Sequence, residues 1–310
     1  MNKSYILSGI EINKGQWNAD FSMMARRDTD NKIFATDKSR KYSLRQELIL
    51  NSHNVLIKRH ESEEKGKYKS LTNILKSYGL FKNEKNQPKD LKEIFHTFID
   101  TRLFGYILKK HNAHGSFQIY YANDIYEDET NDMILDITSY KTSNETDESM
   151  TTVGKSVIID KGFLNYSICI QPNIYLKEAK NILGDDYDEK EIKKLFESDK
   201  SEFLEALNQD VSNLNSCSKN GTYNLYNIVV DMVDENKSLD LNTLQKIKVS
   251  TDDDKVNINL ENTLSVLEQS KDNIKGVTLF YSFANKNINF QNFREKVEEL
   301  GIEIKVADLF

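Results

Sequence analysis

The chain has 310 residues, 38% of them hydrophobic, with two cysteines and a formal net charge of -7. That length and apolar content support a substantial core, and so few cysteines exclude a disulfide framework or a zinc cluster as the organising principle. No apolar run reaches membrane-spanning length and the amino terminus lacks a signal-peptide pattern, so the expectation is a reduced, cytoplasmic protein with no membrane partner.

The net charge conceals a division. Residues 1–118 hold 22 of the 42 Lys and Arg but 13 of the 49 Asp and Glu, a balance of +9, which leaves -16 for residues 119–310. A basic face for a polyanion and an acidic face elsewhere is the sharper reading; chance segregation on a solvated surface is the bland one.

In chain order, Tyr5 to Ile12 alternates as a strand, with Ile6, Ser8, Ile10 and Ile12 on one side and Leu7, Gly9 and Glu11 on the other. Lys14 to Tyr42 lacks a helical period and reads as a long irregular loop. Its Lys14, Arg26, Arg27, Lys32, Lys38, Arg40 and Lys41 are interleaved with Trp17 and Phe21. Cations neutralise phosphates and aromatic faces stack on unpaired bases, a mixture suited to single-stranded nucleic acid. A solvated loop is the alternative. On either reading Arg26, Arg27, Arg40 and Lys41 are expected to be removable without unfolding the protein.

Ser43-Leu-Arg-Gln46 is a capping box, so the first helix is expected to start at Ser43 with Leu44, Leu48, Asn51 and Val55 on one face. The Lys-rich stretch after Lys58 contains a short helix, Ser70 to Tyr78, ended by Gly79. Asp90 and Glu93 cap another helix, whose buried stripe through Ile94, Phe95 and Phe98 reaches Leu103 and delivers Arg102 to its end. Arg102 has two readings, a nucleic-acid contact or a partner for Asp100. A basic loop, Lys109 to Gly115, precedes a strand-like run, Ser116 to Tyr121.

Between Asn123 and Asp136 six acids occur without one Lys or Arg, as in a solvated excursion. Ser156 to Asp160 and Phe163 to Gln171 read as strands joined at Lys161-Gly162, a hairpin. Ile174 to Leu214 is helical and Tyr223 to Met232 is a strand. The end reads as strand, helix and strand: Gly276 to Phe283, Asn289 to Leu300 with Gly301 as its stop, and Ile302 to Val306. The fold class expected is α+β, an expanded ferredoxin-like sheet built from the first β-loop-α and the last β-α-β units, with insertions.

Catalytic patterns are weak. His53, His60, His96, His111 and His114 show no HxH or HExxH spacing, and His111 and His114 form the one suggestive pair. A ribonuclease would use one as general base with a Lys at the phosphorane. Asp28, Asp30 and Asp37 sit where acids more often balance arginines than hold Mg²⁺. The glycines lack P-loop spacing. No catalytic residue, metal or cofactor is assigned.

Taken in order, several segments resemble the backbone subunit of type I CRISPR Cascade complexes, most of all its type I-B branch. Asp100-Thr-Arg-Leu-Phe-Gly105 is similar to that family's Asp-Val-Arg-Leu-Phe-Gly, and Gly115-Ser-Phe-Gln-Ile119 to its Gly-Pro-Val-Gln strand. Ile137-Thr-Ser139 and Thr152-Val-Gly-Lys155 resemble the two sides of its thumb, and Ser216-Cys-Ser-Lys-Asn-Gly221 its Arg-Ser-Lys-x-Gly element. The chain departs from the family at Gln16-Trp-Asn-Ala-Asp20 and Ala25-Arg-Arg27, where relatives carry Asn-Pro-Asn-Gly-Asp and Asn-Arg-Pro-Arg. Cys217 stands in place of an Arg, and Phe163-Leu164 in place of Leu-Tyr.

The resemblance implies a non-enzymatic, RNA-recognition-type palm. Copies line up head to tail along a crRNA guide, beside other Cascade subunits, and the guide is left free to pair with a target DNA strand. It implies one RNA-binding domain, 1–310, with a basic loop at about 14–42, a Lys-rich helical region at about 58–115, a thumb at about 122–155 and a helical insertion at about 174–221. The RNA-contact set expected is Lys14, Trp17, Arg26, Arg27, Lys38, Arg40, Lys41, Arg45, Arg102, His111, His114, Lys141, Met150, Lys155 and Lys219. A ribonuclease subunit of a related complex and a stand-alone RNA-recognition module remain as alternatives.

Overall fold

Alternation with apolar residues on both sides is what a strand buried on both faces requires. In a computed structural model of the chain the first such run, β1 (Ser4–Gly15), is the centre of the molecule. The structure describes residues 1–58, 69–82, 87–88, 91–108, 111–137, 154–214, 216, 219–253 and 255–310. The short strand β2 (Phe34–Ala35) leads into α1 (Asp37–Leu50). There follow α2 (Leu71–Ser77), a two-strand ladder of β3 (Phe81–Lys82) and β4 (Gln87–Pro88), then α3 (Leu91–Thr97) and α4 (Ile99–Phe104). The hairpin β5 (Gly105–Leu108) and β6 (His111–His114) precedes β7 (Phe117–Ile119), β8 (Ala122–Asp124), β9 (Asp132–Ile137) and β10 (Gly154–Ile170). Helices α5 (Pro172–Leu183) and α6 (Glu189–Gln209) lead to β11 (Thr222–Met232). The last third contains α7 (Leu241–Leu244), β12 (Lys248–Asp252), β13 (Lys255–Asn259), α8 (Glu261–Ser270), β14 (Ile274–Tyr281), β15 (Ile288–Asn289), α9 (Phe293–Glu299) and β16 (Ile304–Asp308).

This is a mixed α+β protein with a nine-stranded sheet ordered β16-β14-β11-β1-β10-β8-β2, β7 and β9 also pairing with β10. Strand β1 runs antiparallel to both β10 and β11, and β16 runs parallel to β14. On one face Ile6, Ile10 and Ile12 meet Leu44 and Leu48 of α1 and Phe196, Phe203 and Leu207 of α6. On the other, Tyr5, Leu7, Phe163 and Ile228 meet Leu244, Val249, Leu267 and Val297. Each fully buried Leu or Phe contributes about 1.5–3 kcal/mol, so these two layers dominate stability. A smaller cluster around Leu56, Leu75, Ile94 and Phe98 seats α2 and α3.

Several expectations need correction. Helix α1 starts at Asp37 rather than at Ser43. Ser43 is buried in mid-helix, where its hydroxyl donates to the Arg40 carbonyl at 2.8 Å and also to the Asp210 carboxylate. The helix start is set by a tertiary contact instead. Asn18 Oδ1 accepts from the Thr36 N–H at 2.9 Å, so no local capping pattern marks it. Arg40 and Lys41 therefore lie on a helix, not in a loop.

The hairpin expected at Lys161-Gly162 is one continuous strand, β10, in which Gly162 pairs with Ile12. A Cβ on Gly162 would lie 3.0 Å from Ile33 Cδ1, so glycine serves close packing there rather than a turn. The actual partner of the first part of β10 is β9, with Gly154 opposite Ile137 and Ile159 opposite Asp132. The basic loop expected from Lys109 to Gly115 contains a strand, β6, although Lys109 and Lys110 themselves lie outside the described residues. The acidic stretch after Asn123 contributes β8 and β9. The terminal β-α-β unit is present but adds β14 and β16 to one side of the sheet, outside its antiparallel centre. The small sheet β12-β13-β15 between them had no sequence signal that we read. Asp90 of the second expected capping box lies outside the described residues.

Candidate nucleic-acid interface

The segment Asp100 to Gly105 does fix its surroundings, through bonds that its spacing does not reveal. Gly105 has φ +74, and a Cβ there would lie 2.3 Å from the Ala113 carbonyl oxygen. A Cβ on Gly115 would lie 2.3 Å from the Phe104 carbonyl carbon. Two glycines thus let the β5–β6 hairpin close on the end of α4. Asp100, buried, accepts from the N–H groups of Leu56 at 2.8 Å and Ile57 at 3.1 Å, and from Arg45 Nε at 3.0 Å. It pins the chain after α1 and aims Arg45. Arg102 pairs not with Asp100 but with Asp199 of α6, Nε to Oδ2 at 2.7 Å and Nη2 to Oδ1 at 2.8 Å. It also donates to the Phe95 carbonyl at 2.6 Å, while the Tyr175 hydroxyl donates to Asp199 at 2.6 Å. Burial, then the Asp199 charge, pushes the Tyr175 hydroxyl far above its ordinary value. The arginine joins α4 to α6 and has a framework role.

Four more residues of the expected contact set are engaged by the protein itself, Arg40 and Trp17 buried, Arg27 and Lys219 half-buried. Arg40 is fully buried, 3.0 Å from Asp210 and 3.0 Å from Ser8 Oγ, and it donates to the Leu207 carbonyl at 3.2 Å. Burial raises the Asp210 carboxyl to about 6, although the Arg40 charge opposes that rise. Trp17 is buried and donates to the Tyr166 hydroxyl at 2.7 Å, so its faces are not a stacking platform. Lys219 stands 5.4 Å from the Trp17 ring centroid and donates to the Gln16 carbonyl at 2.7 Å and to the Trp17 carbonyl. Burial lowers its amino group to about 8. Arg27 donates to the carbonyls of Asn31 at 2.7 Å and Thr130 at 2.9 Å and pairs with Asp132 at 2.7 Å, tying the segment after β1 to the start of β9.

Three cations line the outer edge of α1, Lys38 exposed and Lys41 and Arg45 half-buried. Lys41 pairs with Asp37 at 2.9 Å. Lys41 Nζ and Arg45 Cζ lie 5.9 and 5.1 Å from the Phe104 ring centroid. Between them Tyr42 is 50% exposed. It lines two clefts. One, of about 270 Å³, includes Asn18, Ser39 and Lys219; the other, of about 520 Å³, includes Arg45, Ile57 and Lys58. A flat ring between two clefts edged by cations offers stacking and phosphate neutralisation together. Our sequence reading missed Tyr42, Ile57 and Lys58. The signal existed: Tyr42 lies four residues after Lys38 and three before Arg45, but only a helix starting at Asp37 puts the three on one side.

The remaining expected residues are scattered. Lys14 is exposed at the end of β1 with φ +54, and Arg26 is half-buried with its Nε unpartnered among the described residues. His111 and His114 lie three apart on strand β6, so they face opposite sides and do not form a pair. Lys155 stands opposite Asp136 in the backbone register of the β9–β10 ladder. Lys141 and Met150 lie outside the described residues. Among the described residues no three His, Cys, Asp or Glu side chains converge as a metal site, and no helix is long and apolar enough to cross a membrane.

Comparison with known proteins identifies the chain. No curated protein sequence matches it. The chain is similar in fold to a chain of a solved CRISPR RNA-guided surveillance complex, pre-nicking, at 11% identity and a TM-score of 0.52, with 96% of this chain and 99% of that one covered. A second solved CRISPR RNA-guided surveillance complex contains a chain similar at 10% identity and a TM-score of 0.50, with 96% and 98% covered. The family model for CRISPR-associated protein Cas7 matches residues 2–267. With the sheet, the basic edge of α1 and that match over most of its length, the chain belongs to the Cas7 family, the crRNA-binding backbone subunits of CRISPR RNA-guided surveillance complexes.

Proposed function

We propose that this Cas7 protein serves a type I complex of the I-B kind and holds its crRNA along the outer edge of α1. The observation that carries this is Tyr42, exposed between two clefts and flanked by Lys38, Lys41 and Arg45. Such a surface grips phosphates and stacks on bases without touching base edges, so the guide stays free to pair with target DNA. The antiparallel centre β11-β1-β10-β8, with α1 and α6 on one face, has the strand order of an expanded ferredoxin-like palm. The β9–β10 ribbon, Asp132–Ile137 against Gly154–Ile159, is the base of the thumb, and Arg27 braces it through Asp132. Copies stack head to tail, since a heterologous contact of a basic with an acidic face propagates along a guide. Other Cascade subunits meet the ends of that stack, and the single palm with insertions works in the cytoplasm.

Both faces of the sheet's centre are covered, which disfavours a stand-alone module that reads RNA on an open sheet. The opposed His111 and His114 do not form the pair that the ribonuclease reading required, which favours a binding role. The test is binding of single-stranded RNA by Tyr42→Ala and Lys38→Ala, both on the exposed flank. Loss of affinity with an unchanged unfolding midpoint is expected; unchanged affinity in both would move the guide elsewhere.

A further inference from the structure

The turn between Ala19 and Ala25 has no part in the palm as described so far. Ala19 and Ala25 pair as an antiparallel bridge, and Asp20 Oδ1 accepts from the N–H groups of Ser22 at 2.8 Å and Met24 at 3.0 Å. Buried Gln16 donates to the Met23 carbonyl at 2.7 Å from beneath. These bonds hold Met23 at φ +64, a conformation that a side chain with a Cβ adopts at a cost. At the tip of this braced turn Phe21 is wholly exposed, and Met23 beside it is 56% exposed.

A phenyl ring carried in water on a braced turn is prepared for a contact, because the backbone beneath it has little freedom left to lose when the contact forms. Its position identifies the contact. Ala19, at the base of the turn, also lines the smaller cleft beside Tyr42 and Lys219, so the finger rises from the rim of that cleft. Arg26 follows the turn and Lys14 precedes it, while its one carboxylate, Asp20, is occupied by backbone N–H groups. The surroundings suit a polyanion, and the apolar surface is one ring with two methionines, the scale of a nucleobase rather than of a protein interface.

We infer that Phe21 stacks on an unpaired base of the single-stranded nucleic acid whose backbone lies in the α1 cleft. This inference rests on the groove reading above. Phe21 supplies affinity that is independent of phosphate charge, and Gln16 and Asp20 position it.

The experiment measures binding of the full chain to a short oligoribonucleotide and to an abasic oligomer of equal length that keeps the phosphates. Phe21→Ala should weaken binding to the first by about tenfold. The slope against salt should stay the same, and the abasic oligomer should bind wild type and variant alike. Phe21→Trp should restore binding. An equal loss on the abasic oligomer would overturn stacking, as would unchanged binding to the normal one. A change confined to the oligomeric state would assign the finger to a neighbouring copy and sink the proposal. If Tyr42→Ala and Lys38→Ala also bind normally, the groove reading fails; if they weaken binding while Phe21→Ala does not, only the finger fails.

Discussion

Arg40 and Tyr42 are two residues apart on α1 and have opposite fates. Arg40 points into the interface of α1 with α6 and is fully buried beside Asp210. Tyr42 points outward and is half in solvent between two clefts. Both belong to the same basic stretch of sequence. The difference teaches that positive charge in this chain has two uses. Arg40, Arg102 and Arg27 tie helices and the start of β9 to the rest of the fold, and on the proposed reading exposed Lys38 beside Tyr42 is left for a polyanion.

The sharpest way to break that comparison is Arg40→Ala, which leaves Asp210 buried without its cation and should cost about 3–5 kcal/mol in denaturant unfolding. Any variant that also changes Arg26, Arg27 and Lys41 is therefore expected to unfold, against the expectation from a loop reading. The pH dependence has a definite sign. Burial raises Asp210 from 3.8 to about 6, so its contribution to stability is present at low pH and is lost as pH rises through that folded value. Removing Arg40 takes away the charge that opposes the rise and extends the loss upward. The deficit of Arg40→Ala should thus be largest above about pH 7 and shrink toward about pH 5. A deficit independent of pH would show that Asp210 does not carry it.

Next in size is Arg102→Ala, which strips Asp199 of two hydrogen bonds but leaves it Tyr175. A loss of about 3 kcal/mol in stability is expected. Affinity for RNA, measured where the variant is still folded, should barely change; a large drop would return Arg102 to the guide surface. Tyr42→Ala should do the reverse. It should weaken binding of single-stranded RNA by about 1–3 kcal/mol and leave the unfolding midpoint where it was. The smallest expected effect is that of Lys38→Ala, a reduction of about 0.7 in the slope of log affinity against log salt. An unchanged slope would remove Lys38 from the phosphate contacts.

Much of the framework was legible in the chain. The alternation of Tyr5 to Ile12, the helical stripes before Gln209, the strand from Tyr223 and the stop at Gly301 all stand where periodicity places them. The family was legible too, because Asp100 to Gly105 and Gly115 answer to backbone geometry, and a motif forced by geometry survives low overall identity. The individual contacts were not. Lys and Arg look alike in a string whether they meet an acid, a carbonyl or solvent, and Trp17 looked like a stacking ring until Tyr166 was beside it.

The periods of β1, α6 and β11 were determined by the sequence alone, since strand and helix periods depend on near neighbours and on which side is apolar. Arg40, Arg102 and Lys219 each have a partner 97 or more residues away in sequence: Leu207, Asp199 and Gln16. Tyr166 likewise receives Trp17 from 149 residues away. Only the tertiary structure brings those pairs together, and by satisfying some charges it decides which others remain at the surface. Burial without a partner is costly, so each cation drawn inside required an acceptor that packing had to supply. That selection, made by packing over long separations, is what left Lys38, Tyr42 and Phe21 facing outward.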